Sequence, residues 1–176
     1  TIFNYQIDQI LREAKCDLLV VKNPRPIKSL IITGNPAGTG AYAEKAGEVF
    51  KGLVAYFQPK TKLLGIIDPN IPSYFKPDYN PLLKSLGLKK KDFNEIEFAR
   101  SKSIVSGVIE NVKKDQADLL IIGATGTRFL KEIRFGDISE LIAKHLDIPL
   151  MIVKGYESLP KAIWKKICYK IVSPRA

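Results

Sequence analysis

Asp118-Leu-Leu-Ile-Ile-Gly-Ala-Thr-Gly126 decides the fold. Leu119 to Ile122 run without a polar interruption, as a strand covered on both faces requires. The run then breaks into a turn holding Gly123 and Gly126. After nine intervening residues comes Gly136, with Asp137-Ile-Ser139 opening a helix-period stretch. Leu150 to Val153 form a second uninterrupted apolar run. Working outward, the other candidate strands are Leu18–Lys22, Ser29–Thr33, Lys62–Ile67 and Phe93–Ala99, with Leu119–Gly123 and Leu150–Lys154 completing the set. Gly38–Gln58, Ser101–Lys114 and Gly136–His145 read as helices between them. In the second, Ile104, Val105, Val108, Ile109 and Val112 recur at three- and four-residue spacing. Short apolar strands alternating with helices predict an α/β domain with a parallel sheet. Residues 68–92, with four prolines and the run Lys89–Lys91, form a long connection with a short helix at Leu82–Leu86.

Composition narrows the classes. The 176 residues, 45% hydrophobic and 26% charged, are ordinary for a globular domain. No run of eighteen apolar residues is present, so this stretch does not itself cross a bilayer. The chain opens on Thr1, and its one methionine is Met151, which suggests a piece of something longer. Cys16 and Cys168 are too few and too distant for a disulfide framework; they read as packed apolar positions in a reducing, cytoplasmic setting. Half of the net charge of +10 belongs to residues 154–176, with six basic residues and one acid. A nucleic-acid surface spreads its basic footprint over a face; here the excess is a tail, so no nucleic-acid partner is expected.

The beginning of the chain repeats its later part. Ile10-Leu11-Arg12 through Leu18-Leu-Val-Val-Lys22 aligns with Ile142-Ala-Lys144 through Leu150-Met-Ile-Val-Lys154 at a constant offset of 132, and Asp8 meets Glu140. Residues 1–22 therefore read as the last helix and strand of a preceding copy, and residues 26–154 as a complete one. Chance likeness between amphipathic elements is the competing reading.

Glycines after a strand expose backbone N–H groups, and a helix start adds partial positive charge, so the segment from Gly123 to Ser139 suits a phosphate. In a doubly wound sheet such turns lie at the carboxyl ends of strands, where ligands bind. The same glycines also serve simply as turns. Enzyme readings are weaker: Asp137 and Glu140 sit where acids favour the helix dipole, and Ser139 with His145 lacks an activating geometry. No catalytic residue and no metal site is expected.

The spacing Gly123-x2-Gly126-x9-Gly136 resembles the signature of universal stress proteins, Gly-x2-Gly-x9-Gly-(Ser/Thr). The flanks Ala117-Asp118-Leu-Leu-Ile-Ile-Gly, Ser139-Glu140 and Ile148-Pro149-Leu-Met-Ile-Val-Lys154 resemble that family too. The resemblance implies a doubly wound, five-stranded parallel sheet of order 3-2-1-4-5, a homodimer or pairing with another copy, and, in one subgroup, ATP or another adenine nucleotide as ligand. The positions it marks for that ligand are Thr33, Gly34, Asn35, Gly123, Thr125, Gly126, Gly136, Asp137 and Ser139. Two departures stand against the ligand. Asp137 replaces the Ser or Thr that touches phosphate, and like charges at about 4 Å cost roughly 4 kcal/mol at an effective dielectric near 20. The first strand ends Ile32-Thr33-Gly34, without the nucleoside-meeting Asp. Two functions follow: a non-catalytic regulatory domain that senses an adenine nucleotide through pairing of copies, or a ligand-free cytoplasmic tail beside the membrane domain of a transporter, where tandem copies of this family are found.

Residues 155–176 form a basic tail. Between Pro160 and Val172, Ile163, Trp164, Ile167, Cys168, Ile171 and Val172 gather on one helical face and Lys161, Lys165, Lys166 and Lys170 on the other. Such a helix suits an anionic membrane surface at the cytoplasmic face; the alternative is docking on the domain. Four lysines near the surface contribute about 4 kcal/mol to vesicle binding, and that binding should fall steeply with salt. Sedimentation with anionic vesicles of the whole chain and of residues 1–154, beside their melting curves, checks this. A truncated chain that melts much lower, with neither form sedimenting, means docking.

Overall fold

Strand β2 (Ser29–Gly34) reads Ser-Leu-Ile-Ile-Thr-Gly, and Leu30, Ile31 and Ile32 have no exposed surface. Side chains alternate across a strand, so a strand whose every central residue is buried must be covered on both faces. The computed structural model describes residues 10–11, 14, 16–34, 43–72, 74, 76–123 and 137–154. Residues 10 and 11 are helical. After them come β1 (Leu18–Val20), β2, α1 (Ala43–Phe57), β3 (Lys60–Ile67), α2 (Asn80–Leu86) and a 3-10 turn (Lys90–Asp92). β4 (Glu95–Arg100), α3 (Ile104–Lys114), β5 (Leu119–Gly123), α4 (Asp137–His145) and β6 (Leu150–Val153) complete the order. The tail helix expected over Pro160–Val172 lies outside the described residues.

The sheet has six strands in the order β1-β6-β5-β2-β3-β4. β2 pairs in parallel with β3 and β5, β3 with β4, and β5 with β6. β1 adds antiparallel to β6. The five-stranded parallel sheet implied by the resemblance is thus corrected to a mixed, six-stranded one. The cause is physical: the backbone groups on the open edge of β6 are satisfied by the chain's own first strand. That strand ends at Val20 rather than Lys22, because Lys22 turns away to hydrogen-bond the end of α4.

Two cores flank the sheet. On one face Ile31, Leu120, Ile122 and Ile152 pack under Val108 and Val112 of α3, Ile142 and Leu146 of α4, and Leu11. On the other, Leu30, Ile32, Leu63, Leu119, Ile121 and Val153 pack under Ala46 and Phe50 of α1 and Leu82, Leu83 and Leu86 of α2. Each such aliphatic side chain contributes about 1.5–3 kcal/mol by leaving water. The connection over 68–92 is therefore anchored by α2, whose start carries Pro81 and whose end is Gly87 in the left-handed region (φ 61°). α3 begins where the sequence provides a cap: the Ser103 hydroxyl accepts the Ser106 N–H at 3.4 Å. Asp118 Oδ2 accepts from Lys28 N and Ser29 N, each at 3.0 Å, and fixes the start of β5 to that of β2.

α1 and α2 approach closely at Gly47, where an added Cβ would stand 1.8 Å from the Leu86 carbonyl oxygen. Backbone cannot rotate aside as a side chain does, so Gly47→Ala should destabilise the fold by about 1–3 kcal/mol, as overpacking does. Urea unfolding of the variant measures it.

At the amino end of β3, Lys62 is buried and bonds Asp115 Oδ2 (2.6 Å), Glu95 Oε1 (3.0 Å) and Glu97. Burial disfavours its ammonium, but the hydrogen bonds it donates to Asp115, Glu97 and Glu95 more than offset that and raise the amine well above its ordinary value. The hydrogen bond from Lys62 in turn holds the Glu97 carboxyl below its usual 4.5. The unfolded chain then takes up that proton at higher pH than the folded one, so the stability Glu97 contributes is complete above pH 4.5 and is lost as pH falls below it. Glu97→Gln should flatten the acid limb of a plot of melting temperature against pH. A variant curve parallel to the parent's in that range would count against the network.

Candidate functional site

The polypeptide leaves β2 toward β3 on one side and leaves β5 toward β6 on the other, while β2 and β5 lie side by side. α1, which follows β2, covers one face; α4, which follows β5, covers the other. The strand order therefore reverses direction at β2 and β5, and the carboxyl ends of these strands are the switch point at which open α/β sheets bind ligands in a crevice.

The structure places Thr33 and Gly34 at the end of β2 and Gly123 at the end of β5. Thr33 is level with Ile122, so Gly34 and Gly123 are the next residues in register, and Gly34 is level with Gly65 of β3. Three glycines thus cross the sheet in a row, Gly34 and Gly123 at the carboxyl ends of their strands and Gly65 inside β3. They are not equivalent. A Cβ on Gly34 would meet Leu82 Cδ1 at 2.5 Å, so α2 lies on this glycine. On Gly123 the nearest atom would be Ala46 Cβ at 4.0 Å, an ordinary contact. Gly34 is therefore covered by the Leu82 side chain, whereas Gly123 has only an ordinary contact among the described residues. Ser139 is half-buried in the first turn of α4, and that helix begins at Asp137. Asn35, Thr125, Gly126 and Gly136 lie outside the described residues. The structure thus brings Thr33, Gly34 and Gly123 to one edge.

A cluster that sequence reasoning missed stands at the carboxyl end of β6. Lys154 follows that strand and is buried, its Nζ donating to Leu11 O (2.5 Å) and Ala14 O (2.9 Å). Burial pushes its amine below the ordinary lysine value, opposed in part by the nearby Cys16 thiol. Asp17 Oδ1 accepts from the Lys154 backbone N–H (2.9 Å) and from Lys45 Nζ (2.7 Å), and Lys45 also donates to Lys154 O (2.9 Å). Asp17 Oδ2 is buried without a hydrogen-bond partner. The signal for this cluster was in hand: Lys154 and Lys22 are equivalent in the internal repeat. Cys16 is exposed, not packed as expected, because it sits in the bend that lets Asp17 turn inward. His145 is an exposed helix-end residue. Among the described residues no group of three or more His, Cys, Asp or Glu side chains could hold a metal ion, and no helix is long and apolar enough to cross a membrane.

Residues 75–154 match the model of the universal stress protein family. No curated protein sequence matches the chain. Among solved structures, a universal stress protein in complex with cAMP is similar at a TM-score of 0.53 and 16% identity, covering 75% of this chain and all of that one. A universal stress protein from Archaeoglobus fulgidus DSM 4304 is similar at 0.60 and 13%, covering 84% of this chain and 52% of the other. A functionally unknown protein from Pseudomonas aeruginosa PAO1 is similar at 0.62 and 14%, covering 97% and 61%. The chain thus spans about half to three fifths of the length of the last two. These likenesses show the fold: the α/β fold of universal stress proteins.

Proposed function

We propose that this universal-stress-protein-like domain is a non-catalytic regulatory unit that takes an adenine nucleotide or a similar anion in the crevice at the carboxyl ends of β2 and β5. The observation that carries the reading is the meeting of Gly34 and Gly123 at the switch point of the strand order. Among the described residues a side chain on Gly123 would meet only Ala46, at an ordinary contact distance, which leaves its Cα face approachable by a ligand. The cAMP held by the similar structure supports the ligand class. Pairing between copies would carry the signal outward.

The ligand is held weakly in this reading. Asp137 follows Gly136 where the family pattern has Ser or Thr, and Thr33 ends β2 where the nucleotide-binding pattern has Asp. A second reading, a ligand-free module in the cytoplasmic tail of a transporter, is favoured by Leu82 lying on Gly34, which takes up space beside the end of β2.

A ligand at a hundred times its dissociation constant stabilises by about 2.7 kcal/mol, a melting rise of roughly 5–10 °C at this size. Millimolar ATP or cAMP should raise the melting temperature of the chain by less than that. Asp137→Ser should enlarge the rise if carboxylate repulsion is the obstacle. A full rise in the parent chain, unchanged in Asp137→Ser, contradicts the weak-site account; no rise in either supports the ligand-free module.

A further inference from the structure

We propose that residues 160–172 of this chain are the occupant of the uncovered part of one sheet face, seated as a helix over β6 and β1 and against the free flank of α1. The inference concerns a different surface from the candidate ligand site and does not rest on the nucleotide reading.

The two faces of the sheet are unequally covered. On the face of α3 and α4, Leu11 carries the core out to Leu18 and Val20 of β1. On the other face the described residues hold no helix beyond α1 and α2. Residues level with one another in neighbouring strands point to the same face. Leu19 is level with Met151, and Met151 packs into the core beneath α1. Met151 is only half-buried, however, and Leu19 is 59% exposed.

The flank of α1 continues this apolar surface. Gly47 faces α2, because an added Cβ there would meet the Leu86 carbonyl. At about 3.6 residues per turn, Lys45, Val49, Gly52, Leu53 and Tyr56 lie on the opposite side of α1. Lys45 shows where that side looks: its Nζ reaches Asp17 before β1 and the carbonyl of Lys154 after β6. Val49 and Leu53 are half-buried and Tyr56 is 64% exposed. An added Cβ on Gly52 would meet nothing within 4 Å, so another helix could come close there. Leu19, Met151, Val49, Leu53 and Tyr56 thus border one apolar trough, more than the scattered exposed residue that needs no explanation.

The chain itself supplies an occupant of the right chemistry and reach. Lys45 holds the Lys154 carbonyl at 2.9 Å, so the polypeptide leaves β6 beside the first turn of α1. Residues 155–159 then have the length of an ordinary connection between a strand and a helix, about 2–6 residues. Thirteen residues of helix from Pro160 span about 20 Å, enough to run beside α1 toward Tyr56. α1 lies over β5, and β1 is two strands further out. Two strand spacings are about 10 Å, the separation of packed helices. Ile163, Trp164, Ile167 and Ile171 share one side of such a helix and would close the trough, leaving the lysines of its other side in water. A bilayer would also take that apolar side, but Leu19 and Tyr56 would then stay exposed.

Trp164 is the chain's one tryptophan, so its fluorescence reports this segment alone. In the full chain without vesicles, its emission should lie at shorter wavelength than in urea and be several-fold less quenched by acrylamide. Tyr56→Lys and Gly52→Arg, both at exposed positions, should each return the quenching toward the unfolded value while the chain still melts cooperatively. Location is read separately, in a chain carrying Cys16→Ser and Cys168→Ala. A nitroxide on Glu48→Cys, at the border of the trough, should dim Trp164 several-fold. One on Lys113→Cys, exposed on α3 across the sheet, should not. The proposal is overturned if Trp164 is as accessible as in urea, or if both nitroxides act alike and neither α1 variant exposes it. Protection that appears only with anionic vesicles assigns the segment to a membrane, and protection that grows with protein concentration assigns the trough to a second copy; either overturns it too. ATP has no part in these readings, so failure here leaves the nucleotide reading standing, and the converse also holds.

Discussion

The side-by-side parallel pairing of β2 with β5 is the constraint on which the rest depends. Both strands are buried on both faces, so every backbone N–H and C=O along them must find its partner in the sheet, and helices must lie above and below. Once α1 covers one face and α4 the other, the strand order has to reverse at these two strands. The switch point follows from how the chain is wound, and so does the meeting of Gly34 with Gly123. Asp118 secures this arrangement from the opposite end by holding the first N–H groups of β2.

A sheet wound outward from a central pair has two edges, and they are finished by different chemistry. β4 is the charged outer strand, its Glu95 and Glu97 drawn onto Lys62 of its neighbour. Such acids in an edge strand discourage further pairing. β6 has the opposite character, apolar along its length, and is finished by adding another strand. The asymmetry explains why the chain's own first segment joins one edge and not the other.

The sequence showed the apolar strands and the helix-period stretches clearly, because burial on two faces leaves no polar residue in Leu119–Ile122 or Leu150–Val153. The repeat at an offset of 132 also marked residues 1–22 as a helix and strand apart from the complete unit. Strand number was missed: the resemblance described the complete unit alone, and the segment before it was set aside as belonging elsewhere. Lys62 with its three carboxylates was invisible, since its partners come from β4 and the end of α3 and no local spacing joins them. Asp17 was likewise unmarked, a lone acid whose partners are 28 and 137 residues away. At the candidate site, Gly34 and Gly123 were found from their place after strands. That Leu82 lies on the first and not the second depends on how α2 settles over the sheet, which no motif records.

The antiparallel contact between Leu19 and Met151 joins residues 132 positions apart. During synthesis at about 5–20 residues per second, β1 waits roughly 7–26 s for the strand it belongs beside. Through that interval Leu18–Val20 is a bare apolar strand, the kind of segment that associates wrongly. Its neighbours in the sequence meet the danger: Asp17 on one side and Lys22 on the other are charges flanking the run, suited to keeping it in water while the rest is made. In the finished structure Asp17 turns inward while Lys22, still exposed, reaches the end of α4, and together they hold the strand in place. The same side chains thus act first as a guard on a nascent segment and afterwards as its fastening, which makes the order of manufacture as much a determinant of this corner of the molecule as its final contacts.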